Sequence, residues 1–178
     1  MPIITWISEF GIPSGMDDIL VAEIAETDPK GLPWGRVAQI AVCRLDQDSG
    51  LYETVLSETV AVDPRDIGKA GLDRLSSVYG VNPEELYLGE SEATVVERAR
   101  RVLVGAECIS FDVGTVFGGY LCYEPWNMTR EVTLLPSVSR FLPAQALPLE
   151  GEDADPLRKA YDVLCAGDPA EVGEGDRK

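Results

Sequence analysis

Three apolar runs, each bounded by turn-forming residues, constrain the fold of this chain most. They are Ile19 to Ala25, Val37 to Leu45 and Leu51 to Val60. The first two are separated by Thr-Asp-Pro-Lys-Gly-Leu-Pro-Trp-Gly, and Asp46 to Gly50 separates the second from the third. Because glycine, proline and aspartate favour turns, and short links join antiparallel strands, the pattern predicts three consecutive antiparallel strands.

A helix is predicted further along the chain, from Ser91 to Val104. Apolar residues recur there at the spacing that gives a helix one apolar face, namely Val95, Val96, Ala99, Val102 and Leu103. Thr94 and Glu97 have the spacing of a capping box at its start, and Gly105 is expected to end it.

Three more elements follow this helix. Glu107 to Phe111 has the composition of a short buried strand, and Phe117 to Tyr123 is predicted to begin a second helix. Asp155 with Pro156 is typical of a helix start, because aspartate caps the first turn and proline fits the first helical position. The resulting order is that of the ribonuclease-H-like α/β fold, a mixed β-sheet flanked by helices.

The predicted domain extends from residue 19 to residue 165. A chain of 178 residues with 45% hydrophobic content is long enough for one core. Residues 1–18 are an N-terminal extension in this division. Residues 166–178 are small, polar and acidic, so they are predicted to be a flexible acidic tail.

The stretch from Val78 to Leu121 resembles a known family. It reads Val-Tyr-Gly-Val-Asn-Pro-Glu-Glu-Leu, then the predicted helix, then Gly-Ala-Glu-Cys-Ile-Ser-Phe-Asp-Val-Gly-Thr-Val-Phe-Gly-Gly-Tyr-Leu. The DEDD superfamily of 3′-to-5′ exonucleases, typified by proofreading subunits, has a similar order. There a His-Gly-Ile-Thr-x-Glu turn leads through a helix to a strand ending Val-Ala-His-Asn-Ala-x-Phe-Asp-x-x-Phe-Leu. The resemblance covers Ile19 to Cys165 and implies the ribonuclease-H-like fold.

The first motif of that family places two carboxylates at the end of the first strand, as Asp-x-Glu-Thr. The resemblance implies that they bind two Mg²⁺ ions, and residues two apart on a strand share one face. Here the strand ends Ala-Glu-Ile-Ala-Glu-Thr-Asp, so Glu26 matches the glutamate and Ile24 replaces the aspartate. Glu23, three residues before Glu26, is expected on the opposite face. Glu26 is either a metal ligand or a solvated carboxylate at the strand end.

The second motif allows two registers. Counting from Gly105 places the metal-binding aspartate of the family at Val116. A register with a shorter loop instead makes Phe111 and Asp112 the Phe-Asp pair. In both registers Asp112 follows the strand at the expected cleft, so it is either a metal ligand or a helix N-cap.

The third motif, His-x-Ala-x-x-Asp-Ala, supplies a general base and the last metal ligand. Asp155 matches the aspartate, and the base position five residues earlier holds Glu150. The tyrosine variant of the motif needs a tyrosine where this chain has Gly151. Asp155 is alternatively a plain helix cap. Because phosphodiester hydrolysis in this family uses four ligands and a base, the resemblance implies a degenerate active site.

Composition narrows the function classes further. Thirty-one acidic against 15 basic residues give a formal net charge of −16, so non-specific coating of nucleic acid is not expected. The chain has no histidine and no closely spaced cysteine pair, which argues against a structural zinc site, and Cys43 and Cys108 are predicted to be buried. Without a signal sequence or an apolar run of about 20 residues, the prediction is a cytoplasmic protein with no membrane contact.

The sequence thus predicts an exonuclease-like domain that has lost catalysis and acts as a binding or scaffolding module. Its partner is an unidentified protein or nucleic acid, and no cofactor is expected. The rival prediction is a divergent 3′-to-5′ exonuclease acting on single-stranded nucleic acid. It uses Glu26, Asp112 and Asp155 with Mg²⁺ or Mn²⁺, and Glu150 as the base.

A third prediction is a small-molecule binder that reuses the cleft, since a fold does not fix a function. Trp34, Trp126 and Tyr123 are candidates to line the cleft or to stack on a base, with simple packing as the alternative.

Overall fold

The computed structural model describes residues 18–46, 52–128, 131–135 and 137, which form a mixed sheet with helices on both faces. The strands are β1 (Asp18–Glu26), β2 (Val37–Asp46), β3 (Tyr52–Thr59), β4 (Glu107–Ile109) and β5 (Thr133–Leu134). The helices are α1 (Pro64–Ile67), α2 (Lys69–Tyr79), α3 (Pro83–Tyr87), α4 (Glu92–Leu103) and α5 (Gly114–Leu121). Helix α5 has π-helical hydrogen bonding; at its end the Cys122 amide donates to the carbonyl of Phe117, five residues back.

The sheet has the strand order β3-β2-β1-β4-β5, with β1 in the middle. β1 pairs antiparallel with β2, and β2 with β3, whereas the β1–β4 and β4–β5 pairs are parallel. All residues of β1 from Leu20 to Glu26 are buried, as expected of a strand that is covered on both faces. The parallel pair brings the carboxyl ends of β1 and β4 to one edge, the edge where open α/β sheets bind their ligands.

Two apolar clusters cover the two faces of the sheet. The larger cluster joins Leu20, Ala22 and Ile24 of β1 to α4 and α5. The smaller one joins Ala25 of β1 to Leu75 and other residues of α2 and α3. Because alternate residues of a strand point to opposite faces, α2 lies on the face opposite to α4 and α5.

The end of α2 is set by Gly80, which has a left-handed backbone (φ 65°). The Gly80 amide donates to the Ser76 carbonyl at 3.1 Å, and the Val81 amide donates to the Leu75 carbonyl at 2.9 Å. Such bonds close the C-terminus of a helix around a left-handed glycine. They fix Tyr79 in the last turn of α2, where its side chain is buried.

Several sequence predictions are confirmed and others are wrong. The three antiparallel strands, α4 and β4 are present, although β4 stops at Ile109. The predicted capping box is wrong: the Oγ of Ser91 accepts from the Thr94 amide at 3.2 Å, and Glu97 instead pairs with Arg101 one turn later. The helix predicted from residue 117 begins three residues earlier, at Gly114, because it includes the turn that follows Asp112.

Helices α1 to α3 were not predicted from the sequence. Helix α2 buries Gly71, Leu75 and Tyr79, a narrow face that gives a weak periodic signal. Cys43 and Cys108 are buried, as predicted. Within the described ranges, no helix has the length and apolar character to cross a bilayer. The predicted N-terminal extension, the helix at Asp155 and the acidic tail lie outside the described residues.

Candidate functional site

Glu26 is the last residue of β1, which extends past the end of β4, because Ile109 pairs with Val21. The Glu26 side chain is 1% exposed. Arg74 of α2 donates to both carboxylate oxygens, with Nε 2.8 Å from Oε2 and Nη2 2.5 Å from Oε1. The Tyr79 hydroxyl donates to Oε1 at 2.7 Å. The expectation of a solvated carboxylate is therefore wrong, because α2 covers the strand end and supplies three donors.

Arg74 and Tyr79 also contact each other. The Arg74 guanidinium carbon lies 5.7 Å from the centre of the Tyr79 ring, within the range of a cation–π interaction. The hydrogen bonds from Arg74 to Glu26 are those of a bidentate, charge-assisted pair. We call the three side chains Glu26, Arg74 and Tyr79 the Glu26 triad.

The triad fixes the protonation states of its members near neutral pH. Burial raises the pKa of the Tyr79 phenol above its ordinary value of 10.0, and the charge and hydrogen bond of Glu26 raise it further. The hydrogen bond to Glu26 raises the pKa of the Arg74 guanidinium. Tyr79 therefore remains a hydrogen-bond donor and Arg74 a cation. A phenol in this state is not a general base at neutral pH.

Glu23 is a second buried carboxylate near the same strand end. Its Oε1 accepts from the backbone amide of Phe111 at 2.6 Å, which ties β1 to the residue before Asp112. The charges of Glu23 and Glu26 both act on the Tyr79 phenol and raise its pKa. Ala25, which lies on the same strand face as Glu23, belongs to the apolar cluster of Tyr79, and Glu26 contacts Tyr79 as well, so the prediction that Glu23 and Glu26 lie on opposite faces is wrong. The β1–β2 ladder shifts beside Glu26: Ala25 pairs with Gln39 and Glu26 pairs with Val37, which leaves Ala38 of β2 as the extra residue of a bulge.

Asp112 is exposed and lies between β4 and α5. Its Oδ2 accepts from the Thr115 hydroxyl at 2.9 Å, and its Oδ1 accepts from the Thr115 amide at 3.3 Å. A carboxylate that binds an amide three residues later has the geometry of a helix cap. These contacts are those of the N-cap alternative given for Asp112.

The described residues do not fit the two-metal site that the resemblance implies. Ile24 and Val116, which stand where the family has aspartates, are both in the larger apolar cluster. The oxygens of Glu26 are occupied by Arg74 and Tyr79. Among residues 18–46, 52–128, 131–135 and 137, no three acidic or cysteine side chains are grouped so that they could hold an ion. Asp155 and Glu150 lie outside these ranges, so their predicted metal and base roles remain predictions.

The aromatic candidates behave differently from one another. Trp126 is buried in the larger apolar cluster, so its predicted role in lining a cleft is wrong and the packing alternative holds. Trp34 and Tyr123 are exposed. An open groove of about 300 Å³ lies between strands β2 and β3 and the end of α2 with α3, and Tyr79 of the Glu26 triad is part of its lining. It is lined by residues that include Gln39, Ser57, Thr59, Tyr79 and Glu85, and it provides a place for the small-molecule alternative.

Sequence reasoning missed Arg74 altogether and gave Tyr79 no role. Tyr79 is part of the Val-Tyr-Gly-Val turn that carries the resemblance, so the motif did mark its position. Arg74 precedes Tyr79 by five residues, and only the prediction of α2 would have placed the two near each other. The pairing of Arg74 with Glu26 joins residues 48 positions apart, and no local pattern reports it.

Solved structures with the same fold are nucleases. The chain superposes on cell-death related nuclease 4 (CRN-4) with a TM-score of 0.60 at 13% identity, covering 89% of this chain and 65% of the nuclease. It superposes on E. coli Exonuclease I in complex with a dT13 oligonucleotide with a TM-score of 0.56 at 12% identity, covering 90% of this chain and 42% of that enzyme. The zinc-bound form of E. coli Exonuclease I with single-stranded DNA gives the same values.

These likenesses establish the fold. The chain has the exonuclease-like, ribonuclease-H-like α/β architecture predicted from its sequence. It spans less than two thirds of the length of each of these nucleases. No protein-family model and no curated protein matches the sequence.

Proposed function

We propose that this chain is an exonuclease-like domain that does not hydrolyse phosphodiester bonds and acts as a binding module in nucleic-acid processing. One observation carries the proposal: Glu26, the carboxylate that matches the first motif, is buried in a bidentate ion pair with Arg74. A guanidinium ion at this position supplies the positive charge that a divalent cation supplies in a two-metal nuclease.

The ion pair opposes metal binding in two ways. A divalent cation that approaches Glu26 meets the fixed positive charge of Arg74 and must displace its hydrogen bonds. Removing one partner from a buried ion pair costs about 3–5 kcal/mol, because the other charge is left without compensation. Mg²⁺ also prefers near-octahedral oxygen ligands, and the two matching aspartate positions are the apolar Ile24 and Val116.

A group that could act as a general base is also missing beside Glu26 in the described part of the chain. The chain has no histidine, and the raised pKa of Tyr79 keeps its hydroxyl protonated. Glu150 is the remaining base candidate from the sequence. A blocked ligand, two apolar replacements and the lack of a base beside Glu26 among the described residues support a site that does not activate water.

The proposed partner is nucleic acid, in an assembly that includes other proteins. Two of the superposed structures are complexes of E. coli Exonuclease I with single-stranded oligonucleotides. The net charge of −16 weakens any general attraction to phosphate, so binding must come from a local surface. A cytoplasmic location remains the prediction from composition.

A labelled-oligonucleotide assay tests the loss of catalysis. Purified protein is incubated with 5′-labelled single-stranded DNA or RNA in Mg²⁺ or Mn²⁺, and calorimetric titration measures Mn²⁺ binding. We expect no digestion above background and no Mn²⁺ binding at millimolar concentration.

The variants Asp112→Ala and Asp155→Ala separate the alternatives. Metal-dependent digestion that both substitutions abolish would overturn the proposal in favour of the divergent Mg²⁺- or Mn²⁺-dependent exonuclease. Digestion unaffected by both would indicate a contaminating nuclease, and the preparation would then be repeated after a further purification step.

A further inference from the structure

The loop between β1 and β2 presents an aromatic side chain to solvent. We call residues Asp28 to Arg36 the Trp34 loop, after its most exposed aromatic residue. Trp34 is 69% exposed, although the loop itself is firmly attached to the domain. Burying a tryptophan is favourable, so an exposed indole on a well-held loop needs an explanation other than packing.

Hydrogen bonds hold the loop in one conformation. The Leu32 amide donates to the Gly119 carbonyl of α5 at 2.9 Å, and the Gly35 amide donates to the Gly31 carbonyl at 2.9 Å. The Tyr120 hydroxyl donates to the Asp28 carbonyl, which joins the start of the loop to α5. Because the loop is already ordered, a ligand that binds Trp34 does not have to order it.

Close packing limits the loop further. A Cβ atom at Gly35 would lie 2.1 Å from the Tyr120 hydroxyl, and one at Gly31 would lie 2.5 Å from the Gly119 carbonyl oxygen. The chain thus approaches α5 as closely as glycine allows, and the Trp34 side chain is held outside that contact.

The loop also carries the unpaired cations of the described structure. Lys30 and Arg36 are exposed, and neither has a carboxylate partner among the described residues. The other lysines and arginines of those ranges all form ion pairs: Arg44, Arg65, Lys69, Arg74, Arg98, Arg100 and Arg101. In a chain with a net charge of −16, these two unpaired cations, which flank Trp34 in the sequence, give the loop a local positive charge that can attract an anion.

The position of the loop agrees with a ligand-binding role. It begins two residues after Glu26, beyond the carboxyl end of β1, and contacts α5, which follows the carboxyl end of β4. Ligands of open α/β sheets bind in the crevice outside these strand ends. The acidic group nearest in sequence, Asp28, accepts from the Lys30 amide at 2.8 Å and so belongs to the turn.

We propose that the Trp34 loop binds single-stranded nucleic acid, with Trp34 stacked on a base and with Lys30 and Arg36 contacting the flanking phosphates. A single strand offers unpaired bases next to phosphates, which suits a loop that carries an exposed indole and two exposed cations. A duplex keeps its bases stacked inside. This inference rests on the proposed binding function for its partner class, and it adds the surface and the residues.

Fluorescence anisotropy with a 5′-labelled dT oligonucleotide tests the stacking contact in the whole chain. Trp34→Ala is expected to weaken binding roughly 5- to 150-fold, the range for loss of one base–aromatic stack. Trp34→Phe keeps a ring and is expected to stay within a few-fold of the wild type. Tyr87→Ala is the matched control, because Tyr87 is an exposed aromatic residue of α3. Circular dichroism confirms that each variant is folded.

The salt dependence of binding tests the phosphate contacts. Two contacts to a single strand contribute about −1.4 to the slope of log K against log salt concentration. The double variant Lys30→Ala, Arg36→Ala is expected to lose that contribution. Backbone groups of Arg36 make its bonds to Thr27, so the substitution keeps them. The control, Lys69→Ala with Arg101→Ala, removes two exposed cations elsewhere and is expected to keep the slope.

The outcomes separate this inference from the proposed function. Binding that is unchanged in Trp34→Ala and in the double variant would overturn the Trp34 loop while leaving nucleic acid as the partner. Absence of binding to both dT and U oligonucleotides at 20 mM salt would overturn both. Equal binding of polyglutamate, an anion without bases, would overturn the stacking contact and indicate an acidic protein as the partner. Binding without digestion, sensitive to Trp34, supports both.

Discussion

Replacing Arg74 by alanine tests the interpretation of the Glu26 triad most directly. The substitution leaves Glu26, which is 1% exposed, without its bidentate cation. Breaking a buried ion pair in this way costs about 3–5 kcal/mol. Two features place the expected value near the lower limit: the Arg74 side chain is 27% exposed, and Tyr79 still donates to Glu26. We therefore expect a loss of about 3 kcal/mol in the free energy of unfolding.

The same triad predicts that the double variant Glu26→Gln, Arg74→Ala is more stable than the single variant Arg74→Ala. Glu26→Gln keeps an oxygen acceptor for the Tyr79 hydroxyl and removes the buried charge. Combined with Arg74→Ala, it removes both charges of the pair, so no buried charge is left without compensation. The changes that the two substitutions cause in the free energy of unfolding are therefore expected to be strongly non-additive, because the two side chains contact each other.

Urea denaturation followed by circular dichroism measures both effects. With a slope of about 2 kcal/mol per molar urea, a loss of 3 kcal/mol moves the midpoint by about 1.5 M. Lys69→Ala is the control, since Lys69 lies on α2 but pairs only at the surface with Asp73. A shift for Arg74→Ala no larger than that of Lys69→Ala would refute the buried-pair interpretation. Additive effects of Glu26→Gln and Arg74→Ala would refute it as well.

Three further predictions concern the loop, a buried thiol and the phenol of the triad. Gly35→Ala is expected to destabilise the fold by more than 1 kcal/mol in urea denaturation, whereas Gly118→Ala, which meets no atom within 4 Å, should be neutral or stabilising by up to about 1 kcal/mol. Burial raises the pKa of Cys108 above its ordinary value of 9.0, so its contribution to stability is intact below pH 9 and falls by about 1.4 kcal/mol per pH unit above it. Unfolding curves between pH 8 and pH 11 should show a shallower decline for Cys108→Ala, and an equal decline would contradict this. Tyr79→Phe removes one hydrogen bond to a carboxylate and should cost about 2 kcal/mol by the same assay; no measurable cost would show that the bond does not form in solution.

The parts of the fold predicted from the sequence are those with a local signal. The antiparallel strands are runs of apolar residues between turns. Helix α4 has a broad apolar face, and Gly105 follows shortly after its last residue. Helix α2 buries a narrower face, so its periodicity did not stand out. The parallel pairing of β1 with β4 was not predicted, because neither strand alone carries a signal for a partner so far along the chain.

The site was less predictable because its geometry depends on an irregularity in the β1–β2 pairing and on contacts between residues far apart in the chain. An ideal strand has a period of two, which placed Glu23 and Glu26 on opposite faces. The register of β1 against β2 shifts at Glu26, where Ala38 of β2 is the extra residue, and no residue type in the β1 sequence predicts this shift. The contacts of Glu26 with Arg74 and Tyr79, and that of Glu23 with Phe111, all join elements far apart in the chain.

The Glu26 triad also bears on how this fold tolerates the loss of a metal site. Carboxylates gathered at a buried strand end need positive charge or donors nearby, since a buried anion without them is costly. In a metal-dependent nuclease, bound cations supply this positive charge, and the charge is lost when the cations are removed. Here the guanidinium of Arg74, the hydroxyl of Tyr79 and the amide of Phe111 belong to the chain itself. The buried charge of Glu26 is thus balanced by groups of the chain itself, as the proposed binding function without catalysis requires.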